Sequence, residues 1–149
     1  MKVGDIAPDF TLLNQQGEEF NLYKNLNRNV LLIFYPKDNT LVCSNQLRDY
    51  QLNIEKFNQL DVQLVAINIA DKETHKNFCD SIDIKFPVLS DFDKKVSAQY
   101  NALNLFGQNK RMIVLIGKDK EIKLMRKMFS ITYITSDDLV EEIISLPLN

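Results

Sequence analysis

The chain has 149 residues, of which 45% are hydrophobic and 26% charged, a composition typical of one globular domain over residues 1–149. Its formal net charge is −2, and no basic stripe indicates nucleic acid or an anionic membrane as a partner. No apolar run approaches the length of a membrane span, and the N-terminus lacks the apolar core of a signal peptide. We therefore expect a cytoplasmic protein.

The N-terminal third predicts a hairpin and then a buried strand. Residues 10–13 and 19–22 alternate apolar and polar side chains around Gly17, as strands of a small hairpin do. The run Val30–Tyr35 is wholly apolar or aromatic, which is typical of a strand covered on both faces. Pro36 should end this strand because it has no backbone N–H to donate.

A helix over residues 41–60 and a strand over 62–69 are expected next. Within the helix, four apolar residues recur at three- and four-residue spacing and form one stripe. They are Leu47, Tyr50, Ile54 and Phe57. Because a helix separates the two strands, the strands should be parallel.

The second half of the chain predicts six more elements. They are a helix over 72–82, a strand over 86–89, a short helix over 96–100, a strand over 112–116, an antiparallel partner over 121–128 and a helix over 136–146. The last helix should turn Leu139, Val140, Ile143 and Ile144 inward, with Thr135 or Ser136 as its N-cap. The expected fold is α/β and resembles the thioredoxin-like architecture: a central mixed β-sheet flanked by helices, with an added N-terminal β-hairpin.

Cys43 falls in the first turn of the helix that follows the buried strand. A thiol with a pKa of about 8.5 is only a few per cent thiolate at neutral pH. A helix N-terminus contributes about 0.3–1 kcal/mol, and at most about 2 kcal/mol, toward an anion, so a strongly reactive thiolate needs a cation as well. The alternative is an inert buried cysteine, since free cysteine is among the most buried residue types.

The spacing of Pro36, Thr40 and Cys43 resembles the active-site motif of peroxiredoxins. The opening Gly4-Asp-Ile-Ala-Pro-Asp-Phe-Thr-Leu12 matches the usual start of that family, and Tyr35-Pro-Lys-Asp-Asn-Thr40 is similar to its bacterioferritin comigratory protein (Q) branch. The resemblance implies a thiol peroxidase that reduces hydrogen peroxide and organic hydroperoxides without a metal or prosthetic group. It also implies thioredoxin or a similar dithiol as reductant. We expect a monomer or weak homodimer, although the sequence itself does not reveal the oligomeric state.

The same resemblance implies the roles of the site residues. Cys43 would be the peroxidatic cysteine, Thr40 would hydrogen-bond its sulfur and the peroxide, and Pro36 would shield the pocket from water. Arg111, at the start of a later strand, would supply the cation. Arg48 is the competing candidate, although a helix residue five positions after Cys43 points away from the sulfur.

The chain departs from the branch pattern at two places. Leu41-Val42 stands where Pro-Gly is usual, which changes the rim of the pocket and its ease of unwinding. Arg48 occupies the position where many members carry a second cysteine.

Cys79 is the other cysteine, and it shares one face of the 72–82 helix with His75, the only histidine. The resemblance implies that Cys79 resolves the Cys43 sulfenic acid as a disulfide, since some members of the branch carry a resolving cysteine on this helix. A disulfide needs Cα atoms about 4.4–6.8 Å apart, so local unwinding would be required. Otherwise Cys79 is structural and the enzyme uses one cysteine. For His75 a packing or surface role is expected, and a zinc site has no support.

Two other functions compete with a peroxidase. A thiol–disulfide oxidoreductase usually needs Cys-x-x-Cys, but Thr40 stands at the first of those positions. A redox-sensing or binding module would use the same fold without turnover.

Overall fold

The computed structural model describes residues 1–38, 40–129 and 131–148. Seven strands form one sheet: β1 (Thr11–Leu13), β2 (Glu19–Asn21), β3 (Asn29–Phe34), β4 (Val62–Asn68), β5 (Val88–Ser90), β6 (Arg111–Ile116) and β7 (Ile122–Met128). The α-helices are α1 (Leu41–Leu52), α2 (Ile54–Gln59), α3 (Lys72–Ile82), α4 (Lys95–Gln99) and α5 (Ser136–Ile144), and a 3₁₀ helix spans Tyr23–Asn25.

The sheet is mixed, with strand order β2-β1-β5-β4-β3-β6-β7. The central strand β3 lies parallel to β4 and antiparallel to β6, as the α-helical crossover and the later turn predict. The N-terminal hairpin extends the sheet, because β1 pairs antiparallel with β2 and also with β5. The expected mixed sheet with an added hairpin is therefore confirmed.

Side chains of β3 alternate between two hydrophobic cores, one on each face of the sheet. Leu31 and Ile33 face the core made with α1, α2, α3 and α5. Leu32 and Phe34 face the core made with α4 and the N-terminal segment. Both faces are buried because helices cover both, which explains why the strand is apolar throughout.

The helix expected over residues 41–60 is in fact two helices, α1 and α2, joined at Asn53. The Asn53 side chain donates to the Asp49 carbonyl at 2.9 Å, and Asn53 has φ −109° and ψ 21°. Asparagine disfavours helix interiors because its side chain competes for backbone groups in this way. The apolar stripe continues across the break, since Leu47, Tyr50 and Phe57 are all fully buried.

The C-terminal helix is shorter than expected and ends at Ile144. Thr135 is its N-cap, accepting a hydrogen bond from the Asp138 N–H at 3.3 Å. Leu139 and Ile143 are buried, but the inward position expected for Ile144 is wrong because its side chain is 62% exposed at the final turn. None of the described helices is long and apolar enough to cross a membrane.

Candidate active site

Cys43 lies in the first turn of α1, directly after the segment that leaves β3. Its side chain is fully buried in the core beneath α1. Thr40 is the N-cap residue, with an extended backbone whose carbonyl accepts the Ser44 N–H at 2.9 Å. The start of α1 therefore brings the positive end of the helix dipole to the cysteine, which favours a thiolate there.

Arg111 supplies the cation next to this sulfur. It is the first residue of β6, which lies beside β3, and its Nη2 donates to Cys43 Sγ at 3.1 Å. The arginine is only 2% exposed, so solvent screens its charge little. Arg48, the competing candidate, is exposed on α1.

A buried glutamine holds this guanidinium in place. Arg111 Nη1 donates to Gln46 Oε1 at 2.6 Å, and Gln46 Nε2 donates to Tyr50 Oη at 3.3 Å. The Tyr50 hydroxyl in turn donates to the Ile134 carbonyl at 2.6 Å. The sequence analysis missed Gln46, although residues 43, 46 and 50 fall on one face of a helix and that spacing was a usable signal.

Thr40 makes a different hydrogen bond from the one that the family resemblance implies. Its hydroxyl donates to the Lys37 carbonyl at 3.1 Å. A hydroxyl has one proton to donate, so in this arrangement that proton is used within the turn rather than toward Cys43. A rotation about the Thr40 side chain is needed before the hydroxyl donates to a thiolate.

Pro36 is half-buried at the edge of an open cleft of about 440 Å³. The cleft also reaches Arg111, and its described lining consists of Pro36, Asn104, Gln108, Asn109, Lys110, Arg111, Lys127, Met128 and Phe129. Cys43 is not part of that lining, because it is fully buried and contacts Arg111 from within the core. The cleft gives a small molecule access to the guanidinium side of the site.

Asn68 fixes the backbone where β3 leads into residues 35–38 and 40, the segment before α1 that we call the active-site turn. Its Nδ2 donates to the Tyr35 carbonyl at 2.8 Å and to the Pro36 carbonyl at 3.0 Å. Asn68 is 2% exposed at the end of β4. The parallel pairing of β3 and β4 therefore aligns the residue that anchors the turn.

Cys79 is buried in the last turns of α3 and lies in the same core as Cys43. Both cysteines are free thiols, too far apart for a disulfide in this conformation. Burial, and then the negative charges of Asp38 and Asp80, raise the pKa of Cys79 to about 12. At neutral pH, Cys79 in the folded protein is therefore a protonated thiol.

Three polar side chains meet where the active-site turn packs on α3, whereas the sequence predicts only a packing or surface role for His75. His75 Nδ1 lies 2.7 Å from Asp38 Oδ2, and the Tyr35 hydroxyl donates to Asp38 Oδ1 at 2.5 Å. His75 is completely buried and the Asp38 side chain is 3% exposed. We call Tyr35, Asp38 and His75 the buried polar cluster. No spacing rule relates Asp38 to His75, which come together only in the fold.

Within the described ranges, no group of three or more His, Cys, Asp or Glu side chains is arranged to hold a metal ion. Pro36, Thr40, Cys43 and Arg111 are gathered around one end of β3, whereas Cys79 lies apart from them, on α3.

A family model described as the AhpC/TSA family matches residues 3–125 of this sequence. The chain belongs to the AhpC/TSA family. It is 34% identical over 131 residues to a bcp protein of Helicobacter pylori strain J99 that is named as a peroxiredoxin, covering 88% of this chain and 81% of the relative. It is also 34% identical over 105 residues to peroxiredoxin Q, chloroplastic, of Oryza sativa subsp. japonica, covering 70% of this chain and 48% of that protein.

These relatives place the AhpC/TSA chain in the bcp or Q branch of the peroxiredoxins, as its opening and active-site motifs indicate. Solved structures share its thioredoxin-like fold. Peroxidoxin BcpB from Mycobacterium tuberculosis superimposes with a TM-score of 0.85 at 24% identity, covering 97% of this chain and 95% of that one. A reduced 2-Cys peroxiredoxin from Plasmodium vivax gives 0.89 at 25% identity, covering 97% and 96%. As a member of this branch, the present protein is a thiol-dependent peroxidase.

Proposed function

We propose that this peroxiredoxin reduces hydrogen peroxide and organic hydroperoxides at Cys43, forms a Cys43–Cys79 disulfide, and is recycled by thioredoxin or a similar dithiol protein. The observation that carries the proposal is the hydrogen bond from buried Arg111 Nη2 to Cys43 Sγ at 3.1 Å. A permanently charged, forked donor at this sulfur stabilises the thiolate and brings a fixed positive charge to the place where the peroxide reacts.

In the first step the Cys43 thiolate attacks one oxygen of the peroxide. An S–O bond forms and the O–O bond breaks; the leaving alkoxide or hydroxide takes a proton and departs as alcohol or water. Cys43 becomes a sulfenic acid. Negative charge moves from sulfur toward the leaving oxygen, so Arg111 stabilises the transition state along the whole path. Pro36 keeps bulk water from the sulfur, and Thr40 hydrogen-bonds the peroxide after rotating away from Lys37.

In the second step Cys79 attacks the sulfenic sulfur. An S–S bond forms, the S–O bond breaks, and the hydroxyl leaves as water after taking the Cys79 proton. Because the thiols start too far apart, the active-site turn and the end of α3 must open locally. The position of Cys79 supports this step, since α3 ends three residues later, at Ile82, and the ends of helices open more readily than their interiors.

The remaining features of the proposal concern the setting in which the enzyme works. It acts as a single domain over residues 1–149, in the cytoplasm, as a monomer or weak homodimer. Nucleic acid and membranes are not partners, which agrees with the formal charge of −2 and with mixed surface ion pairs such as Lys56–Asp137 and Lys85–Asp83.

Intact mass after one equivalent of hydrogen peroxide tests the proposal. We expect the parent protein to lose two hydrogens, and Cys79→Ser to gain one oxygen and to turn over poorly with thioredoxin. The mass of Cys43→Ser should not change after one equivalent of hydrogen peroxide. Full thioredoxin-dependent turnover by Cys79→Ser would remove the resolving role and leave a one-cysteine peroxidase. Consumption of a single equivalent per Cys43, whatever the reductant, would favour a redox sensor.

A further inference from the structure

We propose that the buried polar cluster of Tyr35, Asp38 and His75 is a latch that holds the active-site turn on α3 and sets the rate at which Cys43 and Cys79 condense. The inference rests on the proposed function, because it concerns the step that joins the two cysteines. Tyr35, Asp38 and His75 are positioning residues in this scheme and do not touch the peroxide.

The cluster connects the two segments that must separate. Tyr35 and Asp38 belong to the segment between β3 and Cys43, whereas His75 lies one helical turn before Cys79 on α3. The Asp38 carboxylate lies 2.7 Å from His75 Nδ1 on α3, and it is held in place by the Tyr35 hydroxyl of its own segment at 2.5 Å. The Tyr35 hydroxyl itself lies 3.4 Å from the same His75 Nδ1. Any movement that frees the turn from α3 must break the Asp38–His75 contact.

The Tyr35 side chain lies in the same buried core as both cysteines. Burial, the neighbouring Asp38 charge, and then the proximity of Cys79 and Cys43 all raise the pKa of the Tyr35 hydroxyl. Its ring lies 6.3 Å from the Phe78 ring, measured between centroids, and Phe78 directly precedes Cys79. Tyr35 therefore lies in the part of the core where Cys43 and Cys79 have to meet to form a disulfide.

The chemistry of the cluster suits a contact that opens and recloses. A carboxylate taken out of water is stable only while its hydrogen-bond partners remain, and the net gain from a buried hydrogen bond is small. An ionised Asp38 only accepts hydrogen bonds, so the proton between it and His75 belongs to Nδ1. On opening, Asp38 returns to water, which offsets part of the cost of breaking its contact with His75.

Removing one partner should therefore bias the protein toward the open state. Tyr35→Phe keeps the ring against Phe78 but leaves Asp38 with one fewer donor inside the protein. While the open state stays a minor species, the condensation rate rises in proportion to its population, and the fraction of closed, peroxide-reactive protein hardly changes. A general loss of structure would instead slow the peroxide step.

The test is quenched-flow intact mass spectrometry of the full chain with hydrogen peroxide. We expect Tyr35→Phe to form the disulfide about tenfold faster than the parent, with a second-order peroxide rate within about twofold of it. At high peroxide, where sulfinic acid forms in competition with the disulfide, Tyr35→Phe should accumulate less sulfinic acid.

Two further variants separate the latch from simple electrostatics. Asp80→Asn removes another carboxylate that raises the pKa of Cys79; its side chain is 69% exposed on α3 and lies outside the cluster. We expect its condensation rate to stay within about threefold of the parent rate. In an Asp38→Asn background the carboxylate that accepts the Tyr35 hydrogen bond is gone. Adding Tyr35→Phe should therefore change the condensation rate much less than it does in the parent.

A second measurement follows opening without the disulfide. In a Cys43→Ser background, alkylation of Cys79 by iodoacetamide should be about tenfold faster with Tyr35→Phe. If the parent forms no disulfide, the proposed function fails and the latch has no step to control. If the parent forms the disulfide but Tyr35→Phe matches it in both condensation and alkylation, the latch alone is refuted.

Discussion

Gln46 Oε1 accepts a hydrogen bond of 2.6 Å from Arg111 Nη1, the neighbour of the nitrogen that contacts Cys43 Sγ. Both side chains are buried, so the amide fixes the guanidinium in the plane that points Nη2 at the sulfur. We expect Gln46→Ala to lower the second-order rate with peroxide about tenfold to a hundredfold, since a buried hydrogen bond to a charge contributes about 1.5–3 kcal/mol. Stopped-flow oxidation of the parent and the variant measures the ratio.

Tyr50→Phe is the matched control for Gln46. It removes the weaker 3.3 Å contact to Gln46 and the bond to Ile134 but leaves the Arg111 contact in place. It should reduce stability more than the peroxide rate. Equal losses of rate in Gln46→Ala and Tyr50→Phe would argue that Gln46 acts only through packing.

Arg111→Ala should lower the peroxide rate more than Gln46→Ala does, by at least about a hundredfold. The reason is that the alanine variant loses both the charge beside Cys43 and the hydrogen bond to its sulfur. Arg111→Lys should recover only part of this loss, because an ammonium has no fork to bond Gln46 and the sulfur together. The measurement is the second-order rate of Cys43 oxidation across the series.

Arg48→Ala serves as the control for charge, since Arg48 lies exposed on the same helix as Cys43. Its peroxide rate should stay within about twofold of the parent, because solvent and salt screen an exposed charge. A large loss in Arg48→Ala with a small one in Arg111→Ala would reverse the assignment of the cation.

Leu41→Pro should be tolerated, although the usual Pro-Gly of this branch is Leu41-Val42 here. Leu41 is the first residue of α1 and 77% exposed, and proline is favourable at this helix position because its N–H has no helical partner to lose. Thr40 precedes it with φ −87° and ψ 150°, the extended region that a following proline requires. We expect a change in the free energy of unfolding within about 0.5 kcal/mol and an unchanged peroxide rate.

Val42→Gly is the informative comparison, since it places a glycine inside the first turn of α1. It should cost about 0.5–1 kcal/mol of stability, measured by urea unfolding. A Leu41→Pro variant less stable than Val42→Gly would contradict the placement of Leu41 at the first position of α1.

Sequence patterns predicted most helices and strands of this protein, because the spacing of apolar residues reports which faces of each element are buried. The strand β3, to within one residue at each end, and the span of α3 both follow from the pattern of apolar residues. The break at Asn53 was missed because it depends on one side chain competing for the Asp49 carbonyl. Periodicity also cannot reveal that Asp38 meets His75, 37 residues away, since only the crossover from β3 through β4 to α3 brings them together.

Alkaline pH should destabilise the fold through Cys79. Its pKa is raised to about 12 in the folded protein, because burial and nearby carboxylates disfavour the thiolate, whereas an ordinary thiol has a pKa of about 8.5. Between those values the unfolded chain has released the proton while the folded chain retains it. The free energy of unfolding therefore falls as pH rises, and the stabilisation is complete only below about pH 8.5.

Comparing Cys43→Ser with Cys43→Ser/Cys79→Ala isolates this effect, because lysines and tyrosines titrate alike in both. From pH 9 to 11 the protein that keeps Cys79 should lose stability more steeply, by up to about 1.4 kcal/mol per pH unit, in urea unfolding at each pH. Parallel pH profiles for the two proteins would mean that the Cys79 thiol titrates as freely in the fold as in the unfolded chain, contrary to its burial beside Asp38.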